Sequence, residues 1–421
     1  MKMSERGFMT EICGRDRRGY ALSELMLLVA LAAILVAIFV DIRRRFISRG
    51  LYIEPIGLAL SADGKRVAAK MADDLRVWDT SNGAAVAAVM SPSGSSVITS
   101  ALSPDGSLVA ALVETPQLQM RLIVTDVRTN KMVCVRDDVG WLAAFSADGK
   151  KLAYLGPPSG MDRVLIGASA STDPRIIDLE NPVARDAVIA SPSARTSPLL
   201  LWFGADDATL SLLTRGGGLK TWRLDSRKAE IAQLIDTTEV GTRFGYFPAY
   251  FTAAAAPDGR HFAAVRPEPS SAKSGGDWLV DLLDADSAGS APRSLRWSGD
   301  GTHIPAAAFV DSGKTLAVIN PQVGLELWDV ATLARQKVLP SERTLTDMAS
   351  TPDARTLAGA SLDAIYMLEG DKLRKIVDLK PSASNLVLLV AAFVVVFMLW
   401  VTARRRRSRR DRAHSSSEGA A

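Results

Sequence analysis

Side chains able to do chemistry are scarce in this chain of 421 residues. There are three histidines, His261, His303 and His414, and two cysteines, Cys13 and Cys134. Zinc sites need ligands a few residues apart so that one turn can wrap the metal, and no Cys/His grouping here has that spacing. Asp284-Ala285-Asp286 offers two carboxylates without the remaining oxygen spacing of a calcium loop. Gly216-Gly217-Gly218 reads as a hairpin turn, because no Lys-Ser/Thr follows to make it a phosphate cradle. The Gly-x-Ser-x-Gly elbow of serine hydrolases is absent. No residue is expected to be catalytic, to bind a cofactor or to hold a metal, and the chain is not expected to be an enzyme.

What remains is surface. Residues 244–251 hold five aromatics in eight positions. Phe244, Tyr246, Phe247 and Tyr250 are the candidate partner surface, since aromatics anchor interfaces. The competing reading is that half of the stretch lines an inner strand and packs in the core. Ala190 to Pro198 and Pro267 to Gly276 read as long polar loops, where binding function tends to sit. Cys134 follows Met132 at strand spacing and reads as a buried small apolar residue.

The elements that must carry these residues announce themselves through one turn. Ser61-Ala62-Asp63-Gly64, Ser103-Pro104-Asp105-Gly106 and Ser146-Ala147-Asp148-Gly149 each sit between apolar runs. Worn versions follow at Gly204-Ala205-Asp206-Asp207, Ala256-Pro257-Asp258-Gly259, Val310-Asp311-Ser312-Gly313 and Thr351-Pro352-Asp353-Ala354. Their first residues recur at intervals of 42, 43, 58, 52, 54 and 41. Such a period predicts repeated supersecondary units that stack on their neighbours. The first unit spells four strands: Ile56 to Leu60, Val67 to Met71, Leu75 to Asp79, and Ala84 to Val89. The fold expected is all-β, a seven-bladed β-propeller of four-stranded antiparallel blades over residues 51–380. Ring closure is expected by packing of the last blade on the first, with an exchanged strand from Leu51 to Glu54 less favoured.

Third strands end on Val77-Trp78-Asp79-Thr80, Val124-Thr125-Asp126-Val127, Thr221-Trp222-Arg223-Leu224-Asp225, Leu282-Leu283-Asp284 and Leu327-Trp328-Asp329-Val330. Over residues 51–380 this resembles the WD-repeat family. Only Trp78-Asp79 and Trp328-Asp329 carry the full dipeptide, and the family's Gly-His pair is absent. The family's Asp–His–Ser/Thr–Trp network is therefore not carried over. The Trp and Asp residues are read as packing and turn chemistry.

Two apolar runs flank the repeats, Leu25 to Val40 and Leu386 to Val401. Each approaches the ~20 residues that cross a bilayer. Transmembrane helices are expected over 20–42 and 385–403. Positive charge sets the orientation. Twelve Lys/Arg lie on the outer flanks, at Lys2 to Arg18 and Arg404 to Arg412, against eight on the repeat side. Both ends are expected in the cytoplasm and the propeller in the periplasm of a bacterial inner membrane. Membrane lipid is an expected partner through the two helices and Arg404–Arg412. Residues 1–49 and 403–421 hold 16 Lys/Arg against 7 Asp/Glu, and the remainder holds 34 against 39. The mildly acidic repeat region lacks the basic face that nucleic acid requires. Residues 404–421 are expected to be a disordered tail.

Arg17-Arg18-Gly19-Tyr20-Ala21-Leu22-Ser23-Glu24, followed by the apolar run, resembles a type IV prepilin leader. The resemblance implies cleavage between Gly19 and Tyr20, with Glu24 as the acidic fifth residue of the mature chain. It would remove Cys13 with the leader at 1–19. The expected function is a membrane-anchored extracytoplasmic propeller, a non-catalytic protein-binding or scaffold module of the envelope. Two alternatives stand beside it. One is a pilin-like accessory component of a type IV pilus or type II secretion machine. The other is a propeller enzyme acting on an envelope substrate.

Overall fold

A computed structural model gives the structure of residues 57–379, apart from 72–73, 91–94, 118, 157–172, 190–197, 227–228, 235–250, 269–276, 288–289, 299–304, 321–322, 342–343 and 362, together with 397–398. Its described strands form seven four-stranded sheets of consecutive antiparallel strands. We number these blades 1 to 7, over 59–90, 96–137, 143–188, 198–233, 252–298, 307–339 and 345–378. Every Asp-Gly turn, worn or not, joins the first strand of its blade to the second.

Middle strands are buried on both faces. Leu108–Glu114 and Thr315–Asn320 are apolar runs, not alternations, as expected of sheets sandwiched between others. Alanines dominate the tightest contacts, and Ala68, Ala69, Ala111, Ala153, Ala263, Ala264 and Ala317 have no exposed surface. Small side chains let neighbouring sheets approach closely at native density. Seven buried clusters occupy the seven seams between blades. The cluster between blades 7 and 1 holds Leu58, Leu60 and Trp78 together with Ile365, Val377 and Leu379. The ring is therefore closed by packing, and each described sheet keeps its own four strands. Leu51 to Glu54 lie outside the described residues.

The turns are built on their own side chains. Asp63 accepts the Ser61 hydroxyl at 2.7 Å and the Lys65 N–H at 3.0 Å, while Ser61 Oγ accepts the Arg66 N–H at 2.9 Å. The same set recurs at Ser103, Asp105 and Leu108 and at Ser146, Asp148 and Lys151. Burial opposes ionisation of Asp63 and Asp105, but the backbone N–H and hydroxyl donors outweigh it and hold both carboxyls below their ordinary value. The turn needs a left-handed residue, supplied by Gly64 at φ +70°. Asp207 and Ala354 keep that conformation where glycine is missing, at φ 54° and 53°.

These turns also touch one another around one rim. Gly64 lies against Thr356 of blade 7, Gly106 against Arg66 of blade 1, and Gly149 against Pro104 of blade 2. Asp207 accepts the N–H groups of Ala147 and Asp148 of blade 3. Gly259 lies against Trp202, and Gly313 against Pro257. The Ser312 N–H donates to the Ala354 carbonyl at 3.1 Å. Antiparallel alternation then places both ends of the ring on the opposite rim. The strand ends flanking 157–172, 190–197, 235–250 and 269–276 open on that same rim.

Several expectations concern residues the structure does not describe. The leader 1–19, both spans at 20–42 and 385–403 and the tail 404–421 lie outside the described residues, save 397–398. Among the described residues, no helix is long and apolar enough to cross a membrane. Cys134 is buried, as expected. Met132 and Cys134 do not share a face: Met132 is 63% exposed. A bulge shifts the register between Val124 and Thr125, so that Val124 pairs with Cys134 and Thr125 with Met132.

Candidate functional site

On the seam of blades 2 and 3, one cleft gathers charge. Leu152, Tyr154 and Ile177 of blade 3 pack against Leu122, Val124 and Cys134 of blade 2. Arg175 pairs directly with Tyr154, and Arg136 with Leu122, so both arginines share those facing surfaces. Asp186 precedes the outer strand Ala187–Val188. Its carboxylate accepts Arg136 Nε at 2.8 Å and Nη2 at 2.7 Å, and the Tyr154 hydroxyl. Arg136 Nη2 also donates to the Pro182 carbonyl at 2.9 Å.

This knot sets the local ionisation. Burial raises the Asp186 carboxyl, but the Arg136 and Tyr154 donors outweigh it and hold it below its ordinary value. Burial, and then the bond to Asp186, push Tyr154 up to about 12. Hydrogen bonding to Asp186 raises Arg136 further, and burial raises the Cys134 thiol. Next to the knot lies a cleft of about 340 Å³ lined by Arg136, Arg175, Arg185 and Asp186 with Val183 and Val188. Three arginines and one carboxylate thus line the cleft. Val183 is 92% exposed and Val188 47%. The arrangement suits binding of a carboxylate-bearing partner.

A second feature is Asp347 on the inner strand Leu345–Ser350 of blade 7. It accepts the N–H of Leu58 at 2.8 Å and of Met348 at 2.8 Å. Across the described first strands of all seven blades, Asp347 is the one ionisable side chain. Burial pushes it up to about 6, against the backbone donors Leu58, Met348 and Gly57.

Phe244, Tyr246, Phe247 and Tyr250 lie outside the described residues, as do Gly19, Tyr20 and Glu24. Phe251, the last aromatic of that stretch, packs edge-on against Trp278 at 5.7 Å, within the cluster of blades 5 and 6. His261 pairs through Nδ1 with Asp258 of its own turn. His303 and His414 are not described. Asp286 forms an ion pair with Arg260 at 2.7 Å, and Asp284 accepts the Asp286 N–H at 2.9 Å, so Asp284-Ala285-Asp286 is a self-contained turn. Among the described residues, no three His, Cys, Asp or Glu side chains stand ready to hold a metal. Neither the arginine cleft nor Asp347 has a sequence motif. Arg136 and Asp186 are 50 residues apart, and Asp347 and Leu58 are 289 apart.

No protein-family model matches this chain, and no curated protein matches it.

Proposed function

We propose that this chain is a propeller tethered at both ends to a bacterial inner membrane, with the ring in the periplasm, acting as a protein-binding or scaffold module without catalysis. The observation that carries the reading is where the ring begins and ends. Leu58 and Leu379 share one buried cluster at the seam of blades 7 and 1, on one rim. Two apolar runs, at 25–40 and 386–401, flank those ends in sequence. A closed seven-bladed ring is a rigid frame for presenting surface loops. The likeness to WD-repeat proteins, carried by Trp78-Asp79 and Trp328-Asp329, and the prepilin-like leader at Gly19-Tyr20 belong to the same reading.

Protease treatment of cells tests the topology. With a tag after Ala421, the ring should be cut once the outer membrane is opened, while the tag survives until the inner membrane is breached. Cutting of the ring only after the inner membrane is breached would invert the orientation and end the reading. N-terminal sequencing separates the leader question: a first residue of Tyr20 supports processing, and an intact Met1 removes it.

A further inference from the structure

We propose that the seam of blades 2 and 3 docks an extended, acidic segment of a partner protein, added as a strand beside Val188. This rests on the reading of the ring as a binding module and names the chemistry of its partner. Two observations converge there.

The first is an open sheet edge. The outer strand of blade 3 is Ala187–Val188. Its pairing is Arg175 with Val188 and Ile176 with Ala187, and the Ile189 N–H donates to the Pro174 carbonyl. Antiparallel alternation therefore turns the N–H and C=O of Val188 away from the sheet. Five other outer strands carry charged side chains, such as Lys131, Glu230, Arg293, Arg335 and Lys372, which discourage strand addition. Ala187–Val188 carries none, as is also true of Ala85–Met90 in blade 1, and it is Val188 that is exposed beside the arginine cleft.

The second is charge. The cleft beside this edge presents Arg136, Arg175 and Arg185 against Asp186 alone, and Asp186 is held by Arg136 and Tyr154. In an extended strand, alternate side chains point the same way. A segment pairing through its main chain with Val188 would lay carboxylates at positions i and i+2 towards those guanidinium groups. Arg binds carboxylates through paired N–H donors, and strand addition at a sheet edge is an established recognition mode. A cleft of about 340 Å³ accommodates one or two side chains. Peptide is favoured over lipid or nucleic acid because the site offers a main-chain edge as well as charge.

The test uses the full chain in detergent and fluorescence anisotropy. The probe is a fluorescein-labelled heptapeptide alternating Glu and Val, beside a Lys/Val counterpart and a version N-methylated at alternate residues. The acidic peptide should bind saturably and more weakly at 300 mM than at 50 mM salt. The Lys/Val peptide should not bind. Arg175→Glu combined with Arg185→Glu should weaken binding at least tenfold, and N-methylation should do the same. Arg355→Glu, on the opposite rim, should change nothing. Equal binding of the acidic and basic peptides, or an unchanged double variant, overturns the proposal. So does an N-methylated peptide that binds as tightly as its parent, or a cleft that takes phosphatidylglycerol vesicles and ignores the peptide. Should the double variant misfold by circular dichroism, the salt dependence and N-methylation arms decide on the unaltered chain. The protease experiment reads the tethered-module proposal separately.

Discussion

The Asp347 carboxylate of blade 7 accepts the Leu58 N–H of blade 1 at 2.8 Å, across 289 residues of chain. It is a polar clasp beside the apolar packing of that seam, where Arg374 Nη2 also donates to the Thr80 carbonyl. Removing an acceptor from a buried N–H costs the desolvation of that donor, about 1–3 kcal/mol. Asp347→Ala should therefore lower unfolding free energy by about that amount in urea titrations. Asp347→Asn, which keeps an acceptor oxygen, should cost less. An alanine variant as stable as the parent would show that the clasp contributes nothing.

The same group sets a pH dependence. Its ordinary value is 3.8, and burial in the folded ring pushes it up to about 6. Below pH 4 the carboxyl is protonated whether the chain is folded or not. Between 4 and 6 the folded chain keeps a proton that the unfolded chain has released, so stability falls as pH rises. Above 6 the loss is complete. Residual solvent contact limits the effect to about 1–2 kcal/mol. Midpoints of urea unfolding measured from pH 4 to 7 should decline, and the decline should shrink in Asp347→Asn. An unaltered slope in that variant would assign the titration to other groups.

Asp207 invites a counterintuitive substitution. It stands at φ 54°, where the better-kept turns have glycine. Glycine would relieve a backbone cost of about 1 kcal/mol. Yet Asp207 also accepts the N–H groups of Ala147 and Asp148 across the seam. Losing two such bonds costs more than the strain returns. Asp207→Gly should lower the melting temperature, and Asp207→Asn should lower it too, though less, because the amide keeps one acceptor oxygen and turns a donor towards the other N–H. A gain in melting temperature for the glycine variant would mean the cross-seam bonds are weak.

Tyr154 should report on the Asp186 knot. Ultraviolet titration at 295 nm should show one tyrosine ionising near 12, missing in Tyr154→Phe. Asp186→Ala should bring that ionisation down, because it removes the hydroxyl's acceptor. A double-mutant cycle with Arg136→Ala should show coupling, since each residue buries charge against the other. Additive losses would place the two residues in separate networks.

The architecture was legible because its turns are local. Ser61, Asp63 and Gly64 close a hydrogen-bonded unit within six residues, so the pattern repeats in sequence as it does in space. Third strands were legible where they end on Asp, as at Asp79, Asp126 and Asp329. Blade 3 was harder: its third strand, Pro174–Asp178, follows a long interval and has no aromatic before its Asp. Cys134 was legible as a buried residue, whereas the exposure of Met132 follows from a bulge, an event in pairing that leaves no mark in composition. The cleft and the clasp were invisible for another reason. Arg136, Asp186 and Asp347 look like ordinary surface charges until the ring brings their distant partners within 3 Å.

Closure at a single seam has a mechanical consequence. Both ends of the described ring lie beside the joint that Asp347 and the Leu58–Leu379 cluster hold shut. Tension applied between Leu58 and Leu379 would load that joint before any other, and six seams would be shielded while it held. The ring is thus a padlock whose shackle is blade 7 against blade 1, and a pull from either end would try that lock first.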